Sequence, residues 1–190
     1  MDLEALNPKV HQMWLEQKMA GPDYFQPSTE EDIAQIEREV AAQLPSDYKE
    51  FLLEYSTVIA APVIGAYFFK VEYKDKQIIE CDFTLVPWAR LTLGAVRVLH
   101  KPHRTMSGVG PRVPKELLPL TYDNESTLLL DLRAKTFGHV LYLPKIKRQT
   151  FGTLGYGWEQ IGFVASSFTD FLTDLDTEEN QVAKYGLPIR

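Results

Sequence analysis

The sequence predicts an α+β fold, an antiparallel sheet with helices packed mainly on one side, N-terminal helices and a closing C-terminal helix. Three observations carry this. Two amphipathic helical patterns follow one another across Leu44-Pro45, the apolar period changes to two from Tyr67 onward, and a capped helical pattern returns at Ser167. Helices, then a run of strands, then a helix is the order of segregated layers rather than of alternating β-α units.

Asn7-Pro8 suits the start of a first helix, with Asn at the N-cap and Pro where its missing N–H costs nothing. Val10, Met13, Trp14 and Gln17 then share one stripe, and Gly21-Pro22 ends it before a linker from Asp23 to Pro27. Ser28 with Glu31, or Thr29 with Asp32, forms a capping box for a second helix, whose buried stripe is Ile33, Ile36, Val40 and Leu44. Pro45 stops it. Ser46 or Asp47 caps a third helix carrying Tyr48, Phe51, Leu52 and Tyr55.

Tyr67 to Val71 is aromatic and β-branched, as strands prefer, and Lys74-Asp75-Lys76 is a polar turn. Ile79, Cys81, Phe83 and Leu85 alternate with Glu80, Asp82 and Thr84, which predicts a strand buried on one face and paired with the first as a hairpin. Leu91 to Leu99 fits either helix or strand, since Gly94 interrupts both. Residues 100–115 are rich in Pro, Gly and basic side chains and predict an exposed loop. Thr127 to Leu132 and Val140 to Leu143 are two further strands, with Gly138-His139 ending the turn between them. Lys145 to Gly157 reads as a second, mobile loop and Trp158 to Val164 as a final strand. Ser167 with Asp170 caps a last helix whose apolar face is Phe168, Phe171, Leu172 and Leu175; Asp176 to Arg190 reads as a loosely attached polar tail.

A chain of 190 residues with 45% hydrophobic and 24% charged residues is expected to fold as one domain, with its core over about residues 29–175. Cys81 is the one cysteine, so no internal disulfide and no CxxC metal site is possible. The acidic start Met1-Asp2-Leu3-Glu4 lacks the basic and apolar regions of a signal peptide, and no apolar run is long enough to cross a bilayer. A cytoplasmic protein without membrane contact is the expectation. Net charge is −6, which disfavours direct nucleic-acid binding. The charge is segregated: residues 1–82 carry 16 acids and 7 bases, whereas residues 83–158 carry 4 acids and 11 bases.

The residues that could do chemistry lack the neighbours it requires. His100 and His103 have HxxH spacing, but from Phe83 to Lys115 there is no Asp or Glu to complete a metal site. Ser107 lacks the surrounding GxSxG, and the glycines near 108–110 and 152–157 lack the residues of a phosphate loop. Cys81 falls on the apolar side of its strand, where a thiol is inert packing. Asp47, Glu50 and Glu54 line a helix at helical spacing, a pattern that more often marks a solvated face than an acid/base pair. No catalytic residue, metal or cofactor is expected.

Leu44-Pro45-Ser46-Asp47-Tyr48-Lys49-Glu50-Phe51-Leu52 resembles the LPxDYxxFL motif of the SUKH superfamily, which holds bacterial immunity proteins and the fungal Smi1/Knr4-type cell-wall regulators. Trp158, Ile161, Val164-Ala165, Ser167-Phe168 and Phe171-Leu172 resemble its closing segment, and Pro114 to Leu118, Leu120 to Asp123, Thr127 to Asp131 and Gly138 to Tyr142 resemble the segments between. The resemblance runs from about Thr29 to Leu175. Many relatives follow the third helix with Asn-Gly-Gly; here Ser56-Thr57-Val58 stands instead, with no glycine before Gly65.

The resemblance implies a protein-binding immunity protein that occludes a cognate toxin domain, often a nuclease, in stoichiometric fashion. A regulatory or scaffold module of the fungal type is the alternative. For a basic partner the acidic candidates are Asp75 in the hairpin turn, Glu80 and Asp82 on the polar face of the second strand, and the Asp47, Glu50, Glu54 helix face.

Overall fold

The computed structural model describes residues 1–20, 27–55, 67–82, 84–121 and 125–189. Among them lie helices α1 (Leu3–Leu6), α2 (Pro8–Ala20), α3 (Glu30–Val40), α4 (Ser46–Glu54), α5 (Ala89–Leu99), α6 (Phe168–Asp174) and α7 (Glu178–Tyr185). The strands are β1 (Phe68–Glu72), β2 (Gln77–Cys81), β3 (Leu117–Pro119), β4 (Thr127–Asp131), β5 (Val140–Leu143) and β6 (Gly162–Ala165). All six form one antiparallel sheet in the order β2-β1-β6-β5-β4-β3. The fold is α+β, as the sequence predicts. The segments around Gly21-Pro22, Ser56-Thr57-Val58, Phe83 and Asp123 lie outside the described residues.

The late strand β6 inserts between β1 and β5 and so joins the early hairpin to the later strands. This needs Gly162: a Cβ there would stand 2.2 Å from Val71 Cγ1 and 2.9 Å from Tyr73 Cε1, so no larger residue fits without moving β1.

One sheet face receives helices. Val10 and Met13 of α2, Ile33 and Ile36 of α3, Tyr48, Phe51 and Leu52 of α4, Leu93 and Val96 of α5, and Phe168 and Phe171 of α6 pack on Phe69, Val71, Leu128, Leu130 and Tyr142. The opposite face has a second core, in which Leu117, Leu129, Leu141 and Leu143 meet Leu99, Val113, Ile146 and Tyr156. Strand alternation explains the split: Leu128 and Leu130 go to one side and Leu129 to the other.

The stripe Val10, Met13, Trp14 and Gln17 is buried as expected, but a short helix, α1, precedes it, with Asp2 accepting from the Ala5 N–H. Asn7 caps α2 by accepting from the Val10 N–H at 3.2 Å, and its amide donates to the carbonyls of Leu172 and Leu175 at 2.8 and 2.7 Å. One buried side chain therefore starts α2 and satisfies the carbonyls at the end of α6. Of the two capping boxes open for α3, Thr29 with Asp32 forms. Ser28 instead accepts from the Ala89 N–H and so serves the start of α5.

α4 departs from expectation at its start. Its N-cap is Pro45, with no side-chain cap, and neither Ser46 nor Asp47 fills that role. Asp47 reaches α6 instead, accepting from the Thr169 N–H at 2.9 Å. Tyr48 is fully buried and its hydroxyl lies 2.8 Å from Thr92 Oγ1, which donates to the Leu120 carbonyl at 2.7 Å. Since the threonine proton is committed to that carbonyl, Tyr48 donates, and the relay ties α4 through α5 to the end of β3.

The stretch Leu91 to Leu99 is helical. α5 buries Ala89, Thr92, Leu93, Ala95, Val96 and Leu99 at helical spacing, and Gly94 falls on its exposed side with nothing within 4 Å. Lys145 to Gly157 is not a free loop: Phe151 N–H donates to the Pro111 carbonyl, Ile146 N–H to the Glu125 carbonyl, and Tyr156 is fully buried. Trp158–Gln160 is a 3-10 turn, so β6 begins later than expected. The segment after Asp176 is not a loose tail. It carries α7, capped by Thr177 and ended by Gly186 at φ 63, with Gln181 fully buried and donating to the Phe68 carbonyl.

Asp131 gives a test through pH. Burial pushes its carboxyl up, but hydrogen bonds from Arg133 and Thr136 and the Arg133 charge outweigh burial and hold it below the ordinary carboxylate range. Arg133 grips it from two nitrogens, Nη2 at 2.6 Å and Nε at 3.0 Å. A depressed folded-state pKa contributes stability that is present above the unfolded value, about 3.9, and lost as pH falls through the folded one. Asp131→Asn is therefore expected to lower the melting temperature at pH 7 and to narrow its gap to wild type as pH falls below about 4. A gap that is constant with pH would contradict this.

Candidate protein-binding surface

The acidic candidates separate into those used by the fold and those open to solvent. In the β1–β2 hairpin Phe69 stands opposite Glu80, Val71 opposite Ile78, and Lys70 opposite Ile79. Glu80 therefore shares the face of Phe69 and Val71, which is the face of the main core. The other face is covered by α7: Lys70 lies 5.1 Å from the Tyr185 ring and Gln181 donates to the Phe68 carbonyl, while the segment after α7 pairs with the outer edge of β2, Ile79 N–H donating to the Pro188 carbonyl at 2.9 Å.

This corrects the expected wet face of β2. Glu80 is 5% exposed and Asp82 is fully buried. Alternation alone places Ile79 and Cys81 inward only if the sheet is covered on one side; α7 covers the second side and removes that premise. Glu80 accepts from the Tyr73 hydroxyl at 3.0 Å. Asp82 accepts from the Thr84 N–H at 2.8 Å and the Thr84 hydroxyl at 2.7 Å, fixing the turn after β2. Asp75 alone of the three is exposed, in the tight turn closed by Tyr73 N–H on the Lys76 carbonyl.

On α4, Asp47 is engaged with α6, whereas Glu50 and Glu54 point outward with side chains 55% and 49% exposed. The amino group of Met1 sits between them at 3.2 and 3.3 Å, and Tyr55 donates to the Met1 carbonyl at 2.9 Å. Those carboxylates raise the pKa of that amine through hydrogen bonds. α4 packs against α3 and α6, and the hairpin against β6 and α7, so Glu50 and Glu54 form one patch and Asp75 another.

The histidines do not converge. His100 is 8% exposed with Nε2 2.8 Å from the Leu117 carbonyl, and burial pushes its pKa down, so the neutral ring donates there. His103 Nδ1 instead accepts from the Thr105 N–H at 3.3 Å. Among the described residues no three His, Cys, Asp or Glu side chains are grouped to hold a metal. Burial, then the neighbouring Asp82 and Glu80, pushes the half-buried Cys81 thiol up and away from the reactive thiolate. No described helix is long and apolar enough to cross a membrane.

Sequence reasoning by residue missed one concave feature. A cleft of about 480 Å³ opens between α5 and the following loop, lined among others by Arg97, Lys101, His103, Arg104 and Arg112. Its signal is the acid-free interval from Phe83 to Lys115, of which only residues 100–115 read as an exposed loop.

A search of curated proteins returns no match to this chain. Residues 27–174 match the SMI1/KNR4 family (SUKH-1), from just before α3 to the last residue of α6. The chain belongs to that family.

Proposed function

We propose that this protein is a cytoplasmic immunity protein that binds a cognate toxin domain and blocks it by stoichiometric occlusion. Family membership carries the reading, since SMI1/KNR4 domains are in general non-catalytic immunity or interaction domains. The local chemistry supports it: Asp47, Glu80, Asp82, Asp131 and His100 are each spent on hydrogen bonds that hold turns, helix ends or strands. A toxin with a basic groove, such as a nuclease, suits the exposed carboxylates Glu50, Glu54 and Asp75.

Charge acts mainly on the rate of encounter. Replacing Glu50, Glu54 and Asp75 together by Lys is expected to slow association with the toxin domain by about tenfold or more at low salt, a loss that shrinks as salt is raised. Circular dichroism should change little because all three side chains are exposed, and melting temperature should fall only modestly as Glu50 and Glu54 lose their pairing with the Met1 amino group. An unchanged association rate and salt dependence would place the interface elsewhere. A regulatory partner, together with no toxin gene beside this one, would favour the scaffold role instead.

A further inference from the structure

We propose that the basic cleft between α5 and the 100–112 loop is a second docking site, which takes an acidic segment of a partner protein through its Asp and Glu side chains. The site does not depend on the toxin reading, which uses carboxylates on other elements.

The lining is chemically one-sided. Arg97, Lys101, Arg104 and Arg112 bring four permanent positive charges to one concavity, and among the described residues no carboxylate lines it. Glu39 of α3 answers two of them from outside, at 3.4 Å from Arg97 Nε and 2.7 Å from Lys101 Nζ. Arg104 is exposed and makes no ion pair among the described residues. Charges of one sign gathered around a cleft repel one another, and Arg104 has no ion pair among the described residues to offset that repulsion. An anionic guest turns that repulsion into attraction.

The cleft is also built. Arg112 is 5% exposed; its N–H donates to the Leu99 carbonyl at 2.8 Å, Nη2 to the Val98 carbonyl at 3.3 Å, and its own carbonyl accepts from Tyr156 at 2.8 Å. His103 N–H donates to the Val109 carbonyl at 2.8 Å, and Gly110 N–H to Thr150 Oγ1 at 2.7 Å. The loop is thus held at both ends and across its middle, so a guest need not order it. His103 Nδ1 is occupied by the Thr105 N–H, which leaves the ring proton of the neutral form on Nε2 as a further donor.

Carboxylates fit better than a nucleic-acid backbone. Glu39 already bridges Arg97 and Lys101, so the spacing of that pair accepts a carboxylate. The cations form one pocket rather than a long stripe, and the neighbouring α3 carries Glu30, Glu31, Asp32, Glu37 and Glu39. A nucleic-acid backbone binds along an extended run of cations, whereas a single pocket suits a few discrete carboxylates.

The test is fluorescence anisotropy with a labelled ten-residue peptide rich in Glu and Asp, a peptide of equal length with Gln and Asn in their place, and a single-stranded oligonucleotide of equal charge. The intact chain is expected to bind the acidic peptide and not the neutral one, with affinity falling as salt rises. Arg104→Glu is expected to weaken binding at least about tenfold and Lys101→Gln in the same direction, whereas Lys76→Glu on the hairpin should change it less than about twofold. Circular dichroism checks that each variant is folded. No binding of the acidic peptide, equal losses in Arg104→Glu and Lys76→Glu, or an oligonucleotide bound as tightly as the peptide would each overturn the proposal.

Discussion

Phe171→Ala is expected to cost about 3–5 kcal/mol, the usual toll for deleting a buried aromatic ring. The ring is 1% exposed and meets Phe69 of β1 edge-on at 5.6 Å and Phe168 at 5.9 Å. Phe168 in turn contacts Tyr48 and Phe51 of α4 at 5.0 and 5.2 Å. The ring thus lies where α6, β1 and, through Phe168, α4 meet. Few neighbours can move in to fill the void, because Asn7 and Asp47 pin both ends of α6. Total stability of a domain is about 5–15 kcal/mol, so this one change should consume much of it. Urea unfolding checks it, and a loss under about 1 kcal/mol would mean that α6 does not close the core.

Tyr156→Ala should cost a similar amount, about 3–5 kcal/mol, but in the second core. Tyr156 is fully buried against the sheet face of Leu129, Leu141 and Leu143, with Phe151 edge-on at 5.6 Å. Its hydroxyl holds the Arg112 carbonyl at 2.8 Å. Tyr156→Phe keeps the ring and loses only that bond, and should cost about 0.5–1.5 kcal/mol. The two substitutions separate packing from hydrogen bonding in the segment that carries the basic cleft. Equal losses in both would show that the hydroxyl, not the ring, stabilises this side.

The large core was legible because its signals are local. Ile33 and Ile36, Tyr48, Phe51 and Leu52, and Phe168, Phe171 and Leu172 each repeat at helical spacing behind a cap or a proline, and all are buried. β5 begins and ends at Val140 and Leu143, the bounds the sequence predicts. The partner surface was less legible, because a strand pattern states which residues share a face but not which face is covered. Glu80 and Asp82 belong in water only if the sheet is covered on one side, and α7 covers the second. α7 itself had readable signals, Thr177 before Glu178-Glu179, Lys184 in the last turn and Gly186 beyond it. Its apolar content is low and Gln181 is its buried contact, so hydropathy gave no stripe. Of the six acidic candidates, Glu50, Glu54 and Asp75 are exposed, and the other three act within the fold.

The central claim is stoichiometric occlusion, and titration of a toxin's activity tests it most directly. With a cognate toxin domain held at a fixed concentration well above the dissociation constant, activity should fall linearly with added protein. It should reach its floor at one binding equivalent, and a complex of fixed composition should be recoverable by size-exclusion chromatography. Loss of toxin activity at amounts far below one equivalent, growing with time, would mean turnover and would contradict the account.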